Sequence, residues 1–590
     1  MNNNNYKLNN KFQEEEKTKT LNSLKKLFPL MKDQKSNLVF AAIAVLINSL
    51  LNLVAPVIIG YTVDNYIQTK DFHGVLIFAA ILLTMYSVAL FASYFQTLLM
   101  GKTGQRVLFN LRNSIFSKLQ NLPIAFFNQN KIGDLISRIN NDTDKLNQFF
   151  SQALVQFIAN IIMIIGTGIF ILYINFELGV AALIPGVLLL IFTRILSPWI
   201  KKTNASSLKN LGGLSAEISE NLENFKVIVA FNRRDYFRNK FNIVNEQNYK
   251  SSLKAGIANN TLTPAYGLFS NMAQLIVVVL GIYLINQNSL TIGVLISFLI
   301  YINRFYEPLR QIASLWSNFQ VAMAAWDRIY KILSLSSDLE VIKSKENNKS
   351  TSNLLEFKNV SFSYPDGKQV LENVNFKLES GKTYALVGPT GGGKTTTASL
   401  IARLFDPTKG MVIFKGKDIR TYETFEITQK IGFILQDPFL FTGNLFENII
   451  YGNEELKTLT INELKTMIES EGLGTLLDRF DKGLETVVSS SGGTLSLGQK
   501  QLVAFIRAVL RKPELLILDE ATANIDTVTE MLLQNILDKL PKSTTKVIIA
   551  HRLNTIENAD EIFFVNSGNI VDAGSMEQAV DMLLHGKRKT

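Results

Sequence analysis

At 590 residues the chain is too long for one ordinary domain and suits two or three, and its 47% hydrophobic and 19% charged residues average a membrane-embedded part with a soluble one. The absence of cysteine excludes disulfides, zinc–thiolate sites, Cys nucleophiles and cysteine-ligated iron–sulfur clusters, and three histidines argue against a histidine metal cluster. The net charge of +10 gathers into no dense basic tract, so it points to cytoplasmic loops facing anionic lipid and not to nucleic acid.

Residues 1–20, "MNNNNYKLNNKFQEEEKTKT", contain no apolar core of a signal peptide and are expected to form a disordered polar tail. Residues 21–335 are expected to form a membrane domain. It opens with Leu21, Leu24, Leu27, Phe28 and Met31 at helical spacing among lysines, the pattern of a helix lying in the membrane interface. Apolar stretches near 37–60, 73–100, 150–174, 178–200, 260–285 and 291–316 are each long enough to cross a hydrocarbon core of about 30 Å. Six spans are predicted. Residues 101–149 and 201–255 between them are long, helical in pattern and rich in Lys and Arg, whereas the other connections are short and nearly free of both. The positive-inside rule therefore puts the long connections and both termini in the cytoplasm.

Asn48, Gln96, Asn160, Asn260, Asn271, Gln274 and Arg304 lie within the spans, where they are expected to face a cavity or another helix. Arg304 falls roughly 20 Å along span six. Two readings stand for it: an i,i+3 ion pair with Glu307, or a contact with the transported substrate.

A polar linker, 336–352, leads into a nucleotide domain at 353–590. There "LLEFKNVSFSYP", "TYALVG" and "ELLILDE" read as strands. "GPTGGGKTTT", from Gly388 through Pro389, Thr390, Gly391, Gly392, Gly393, Lys394, Thr395 and Thr396, follows one strand and precedes a helical pattern. Its glycines allow a tight backbone wrap around phosphate oxygens; Lys394 is expected to neutralise the β- and γ-phosphates of ATP and Thr395 to hold Mg²⁺. Asp519, at the end of the apolar run Leu515–Leu518, is expected to act on the same Mg²⁺, usually through water, and Glu520 suits the group that polarises attacking water.

Six spans followed by this ATPase domain resemble an ABC exporter half-transporter (type IV, multidrug or lipid type) over nearly the whole chain after its tail. The resemblance implies a multidomain membrane protein with a six-helix all-α transmembrane domain and an α/β P-loop ATPase domain, multi-pass in the cell membrane with its ATPase domain cytoplasmic. It further implies that Tyr364 of "FSYP" stacks on adenine, and that Gln436 of "ILQDPFLF" senses Mg²⁺ and links nucleotide to membrane helices. Asp526 of "ANID" takes the D-loop position and His551 of "IIAHRL" the switch position at the γ-phosphate. "FFNQNKIGDLISRINNDTDKL" from Phe126 and "ENLENFKVIVAFNRRDYF" from Glu220 resemble the two coupling regions.

"GTLSLGQKQL", residues 493–502, is similar to the LSGGQ signature that completes the ATP site of a partner domain. Ser496, Gly498 and Gln499 match, and Leu497 stands where a second glycine is usual. A leucine keeps its N–H but forbids any dihedral open only to glycine. Ser490 also stands where the family often has a glutamate. An altered signature beside an intact Glu520 fits one subunit of a heterodimeric exporter, so a second half-transporter is the favoured partner. Membrane lipid and an amphipathic drug- or lipid-like substrate complete the expected partners. A homodimeric lipid or peptide exporter, an ATP-gated channel and a regulatory membrane ATPase stand as alternatives; no peptidase-like segment precedes the spans, which argues against a self-processing peptide exporter.

Overall fold

A computed structural model describes residues 33–335, 341–342, 353–364, 367–489, 495–519, 527–549 and 558–585, together with Tyr6 and Leu8. The interfacial helix expected at 21–32 lies outside the described residues. The chain divides into two compact units. One spans Lys11–Lys118 and Leu135–Leu333; the other joins Leu119–Asp134 and Tyr6 and Leu8 to the chain from Ser334 onward.

The described part of the first unit is helical. Among the described residues six helices are long and apolar enough to cross a membrane: Lys35–Ile67, Phe72–Gln120, Ile132–Ile174, Phe176–Glu223, Arg234–Asn286 and Ile292–Leu333. They contain the six stretches read from sequence but run far past them. The 53 residues of the fifth extend about 80 Å, more than twice the hydrocarbon thickness. The basic connections are thus the continuations of these helices, as their helical pattern suggested.

The fourth and fifth helices pack along each other, and the sixth lies against the first, third and fifth. Phe298, Tyr301, Ile302 and Tyr306 of the sixth form a core with Ile171, Leu178, Ala182, Ala273 and Val277. Side chains of the sixth also reach backbone carbonyls of its neighbours: the Tyr301 hydroxyl donates to Leu53, Ser297 Oγ to Pro56 at 2.7 Å, and the Tyr306 hydroxyl to Ala182 at 3.0 Å. Such bonds cost less than leaving a hydroxyl alone in hydrocarbon.

Asn160 Nδ2 donates to Gln311 Oε1 across helices three and six (3.1 Å), and Gln274 Nε2 to Asn303 Oδ1 across five and six (2.9 Å). Both therefore face another helix, as expected. Asn260 instead bonds within its own helix, to the Gly256 carbonyl. Of the two readings of Arg304, the i,i+3 pair with Glu307 does not form. Glu307 is held by Arg310 and by Gln311 Nε2 (3.0 Å), so its carboxylate is already engaged one turn nearer the cytoplasm.

In the second unit the helix Ile124–Gln129 buries Ala125 and Phe126. Tyr6 and Leu8 are only 5% and 9% exposed. The Tyr6 N–H donates to Gln129 Oε1 (2.9 Å), Asn130 Nδ2 donates to the Tyr6 carbonyl (2.9 Å), and the Leu8 N–H donates to Asn130 Oδ1 (3.0 Å). The Tyr6 ring meets Phe126 edge-on at 6.4 Å. At these two positions the expectation of a disordered tail does not hold, because two amide side chains satisfy the tail's backbone and an apolar seat takes its side chains.

The remainder of this unit is α/β. β1 (Asn353–Ser363), β2 (Gln369–Glu379), β4 (Lys409–Phe414) and β5 (Lys417–Asp418) form an antiparallel sheet ordered β2-β1-β4-β5. A second sheet runs β12-β11-β3-β10-β9-β6, from β3 (Thr383–Val387), β6 (Ile431–Ile434), β9 (Leu515–Asp519), β10 (Thr545–Ile549), β11 (Glu561–Asn566) and β12 (Asn569–Asp572). All its pairings but β11–β12 are parallel, and β7 (Gly443–Asn444) and β8 (Val487–Val488) pair apart from both sheets. Buried on both faces, β9 reads as the unbroken apolar run that the sequence shows.

Candidate functional site

Parallel pairing places the carboxyl ends of β3, β10, β9 and β6 on one edge, with Ile549 opposite both Leu386 and Asp519, and Ile434 opposite Leu518. In open α/β sheets this edge is where ligands bind. β3 leaves it as the loop Gly388–Gly393, and the helix Lys394–Ile401 begins directly after. Gly388 and Gly393 take φ of +148° and +118°, conformations closed to other residues without strain. A Cβ on Gly388 would stand 2.0 Å from the Val565 carbonyl oxygen, and one on Gly392 2.6 Å from it. The loop lies against the end of β11, a neighbour that sequence reading missed because nothing local marks Val565.

Pro389, Thr390 and Gly391 form the exposed tip of the loop, while Lys394 and Thr396 are buried. Lys394 Nζ donates to the Gly388 and Pro389 carbonyls at 2.7 and 3.1 Å, which holds the ammonium within the loop's curl. Thr395 Oγ1 donates to Asp519 Oδ1 at 3.4 Å. Loop hydroxyl and strand-end carboxylate, 124 residues apart, are thereby brought together. Gln436 follows β6 on the same edge and is exposed. Tyr364 reaches the loop's helix: its hydroxyl shares a hydrogen bond with Thr396 Oγ1 at 3.0 Å, and its ring meets Phe362 and Phe405 edge-on.

A helix N-terminus, a buried ammonium and glycine N–H groups suit phosphate oxyanions. Thr395 and Asp519 offer the oxygen donors that a hard divalent cation takes. Among the described residues no group of three or more His, Asp or Glu could hold a metal by itself. A cation here would draw further ligands from phosphate and water, the usual state of Mg²⁺ in phosphoryl-transfer sites.

Ser496 caps the helix Leu497–Val509. Its Oγ accepts from the Gln499 N–H at 3.2 Å, Gln499 Oε1 accepts from the Ser496 N–H at 2.9 Å, and Gln499 Nε2 donates to the Arg479 carbonyl at 2.9 Å. Leu497 is the first helical residue and has ordinary helical φ, so no glycine-only dihedral is needed there. Its side chain is half-buried and stands apart from the buried face that carries Gly498, Leu502, Phe505 and Ile506. Glu520, Asp526, His551 and Ser490 lie outside the described residues.

Sequence reading also passed over a cleft beside Gln436, about 250 Å³ in volume and lined by Leu435, Pro438, Phe439, Phe441, Tyr451 and Arg507 among others. The Arg507 guanidinium sits 5.5 Å over the Tyr451 ring and donates through Nε to the Asn448 carbonyl at 2.7 Å. Burial pushes its pKa below the ordinary arginine value. The aromatic density of "DPFLFTGNLFENIIY" was the available signal.

A membrane-spanning six-helix domain carrying a P-loop ATPase on the same chain defines an ATP-driven membrane transporter. Residues 38–309 match the ABC transporter transmembrane region, and residues 371–523 match the ABC transporter family. The chain is 31% identical over 561 residues to the Bacillus subtilis (strain 168) protein named uncharacterized ABC transporter ATP-binding protein YfiC, covering 95% of this chain and 92% of that one. It is 32% identical over 511 residues to the fatty acid ABC transporter ATP-binding/permease protein of Mycobacterium bovis (86% and 80% covered). The ATP-dependent lipid A-core flippase of Salmonella typhimurium is 29% identical over 564 residues (94% and 95% covered). The chain belongs to the ABC transporter family as a type IV half-transporter. It is an ABC exporter, multi-pass in the membrane with a cytoplasmic ATPase domain, and couples ATP hydrolysis to transport.

Proposed function

We propose that this chain is one half of a heterodimeric exporter that moves amphipathic, drug- or lipid-like molecules by alternating access. The observation that carries the ATP site is the meeting of Thr395 and Asp519 on the sheet edge that β3 leaves as the glycine loop. Lys394 and the loop N–H groups bind the β- and γ-phosphates, Tyr364 packs on adenine, and Thr395, Asp519 and Gln436 hold Mg²⁺. When bound, Mg²⁺ neutralises charge on the phosphate oxygens. Glu520 orients and polarises water, His551 contacts the γ-phosphate, and Asp526 lies at the junction of the two ATPase domains. Ser496, Gly498 and Gln499 serve the ATP held by the partner, at the N-terminus of their helix.

ATP shifts the population because it binds the closed pair of ATPase domains better than the open one. An amphipathic cargo is supported by relatives named for fatty acid and for lipid A-core. The heterodimer is supported by Leu497 and Ser490 beside an otherwise intact catalytic set. Assembled with its partner, Glu520→Gln should bind ATP normally while turnover falls about 10²–10⁴-fold, the range for losing a general base. Near-normal ATPase in that variant refutes the role of Glu520. Purified chain that forms a fully active homodimer refutes the heterodimer. Uphill substrate accumulation in vesicles supports a pump, whereas ohmic current refutes it.

A further inference from the structure

With Glu307 occupied by Arg310 and Gln311, Arg304 makes no hydrogen bond or ion pair among the described residues, and its Nη1 is buried without a partner. It lies about 18 Å below Ile292, at the extracellular end of helix six, at 1.5 Å per residue. Every other Lys or Arg of the six helices stands about 27 Å or more from the extracellular end of its helix. A lone cation at that depth is costly enough to call for a partner.

Helix three faces it with a second orphan. Asn160 and Gln311 form a rung between antiparallel helices three and six. Two turns outward, seven residues on in helix three and seven back in helix six, the same two faces carry Thr167 and Arg304. Gly168 confirms the level, since a Cβ there would meet Phe305 at 3.9 Å. Thr167 is fully buried, yet its hydroxyl bonds neither to Arg304 nor to a carbonyl of its own helix. Other serines and threonines of these helices, among them Thr62, Thr103 and Ser151, do bond to such a carbonyl. The neighbouring rungs of helix six are all closed, by Ser297 to Pro56, Tyr301 to Leu53 and Gln311 to Asn160. Among these rungs the one at Thr167 and Arg304 is left open, and both its groups can donate a hydrogen bond.

We propose that Arg304 and Thr167 form a head-group subsite for an amphiphile bearing anionic oxygens, a carboxylate or a phosphate ester. Guanidinium pairs with either in a forked geometry, and a neighbouring hydroxyl supplies a further donor. An apolar tail then lies along the bundle without burying an unpaired charge. The site rests on the reading of the chain as an exporter of amphiphiles and adds which head group it selects.

Direct binding tests it, with the full chain assembled with its partner in nanodiscs of neutral phosphatidylcholine. Fluorescent cis-parinaric acid is compared with its methyl ester, and a fluorescent phosphatidic acid with the matching diacylglycerol. At least one anionic probe should bind about tenfold or more tighter than its neutral twin, as a charge-assisted pair lost from a dry site implies. In Arg304→Gln that ratio should fall to about 1; Arg304→Lys should keep part of it and Thr167→Val should reduce it severalfold. The acid arm and the phosphate arm separate the two head groups. A wild-type protein that prefers neither anionic probe, or an unchanged ratio in Arg304→Gln, overturns the subsite. Should Arg304→Gln fail to assemble, an unchanged ratio in both Arg304→Lys and Thr167→Val overturns it equally. ATP-driven uptake of a neutral amphiphile with no anion preference would sink the subsite and leave export standing, whereas anion binding without any transport would do the reverse.

Discussion

The two cytoplasmic connections each carry a helix of six residues with the apolar sequence of a docking element, and the two are treated in opposite ways. In Ile124–Gln129, Phe126 is 0% exposed, Ala125 is buried, and Tyr6 and Leu8 are fastened alongside. In Phe225–Ala230 only Ile228 is buried; Phe225 and Val227 are both 54% exposed and Phe231, just past its end, is 74% exposed. Equal apolarity therefore does not mean equal burial within one chain. The first helix finds its cover among residues of its own unit. The second keeps an apolar face exposed, which the ATPase domain of a second half-transporter would cover under the proposed dimer. Each short helix would be too brief to stand alone in water, so its stability comes from whatever packs on it.

Breaking the buried helix should give the largest effect. Phe126→Ala removes a fully enclosed ring and should cost about 3–5 kcal/mol, read as a lower melting temperature of the purified chain. Phe225→Ala should shift the same melt by no more than about 0.5 kcal/mol, as exposed positions do. A matching loss at both positions would erase the contrast between the helices. The exposed helix is tested through assembly: Phe225→Asp with Val227→Asp should leave the isolated chain folded and weaken association with the partner about tenfold or more, measured by sedimentation, because charges would enter an apolar contact. Unaltered association would mean that no partner covers that face.

Smaller in size, and sharper about the clamp, is Asn130→Ala. It removes the acceptor for the Leu8 N–H and the donor to the Tyr6 carbonyl, at a cost of about 1–3 kcal/mol. Amide exchange at Leu8 should speed up accordingly, while exchange along β9 in the same protein stays slow. Small as well is the effect of Leu497→Gly. At the first turn of a helix it should cost about 1 kcal/mol or less, since Leu497 already has helical dihedrals. A much larger loss would mean that the leucine packs on something its half-buried position does not show.

What was legible in the sequence is what short-range chemistry dictates. The glycine loop announces itself because only glycine tolerates φ near +118° and +148°, and a buried parallel strand such as β9 must be apolar throughout. Six spans follow from length and hydropathy, and orientation from the placement of Lys and Arg. Residues 101–149 and 201–255 were readable as helical for the same reason, since their period is local.

Only the tertiary structure decided which partners those elements found. Spacing offered Glu307 to Arg304, but an arginine three residues on the other side, with Gln311, took that carboxylate, a competition that sequence spacing leaves open. The meeting of Thr395 with Asp519, the Val565 carbonyl under the loop and the seating of Tyr6 and Leu8 all join residues far apart in the chain. Leu497 illustrates the same division: the sequence marks a departure from glycine, and the helix that begins there makes it conformationally harmless. Local pattern sets what a residue can do; packing of distant segments sets which of those options is exercised, because burial leaves each polar group room for few partners.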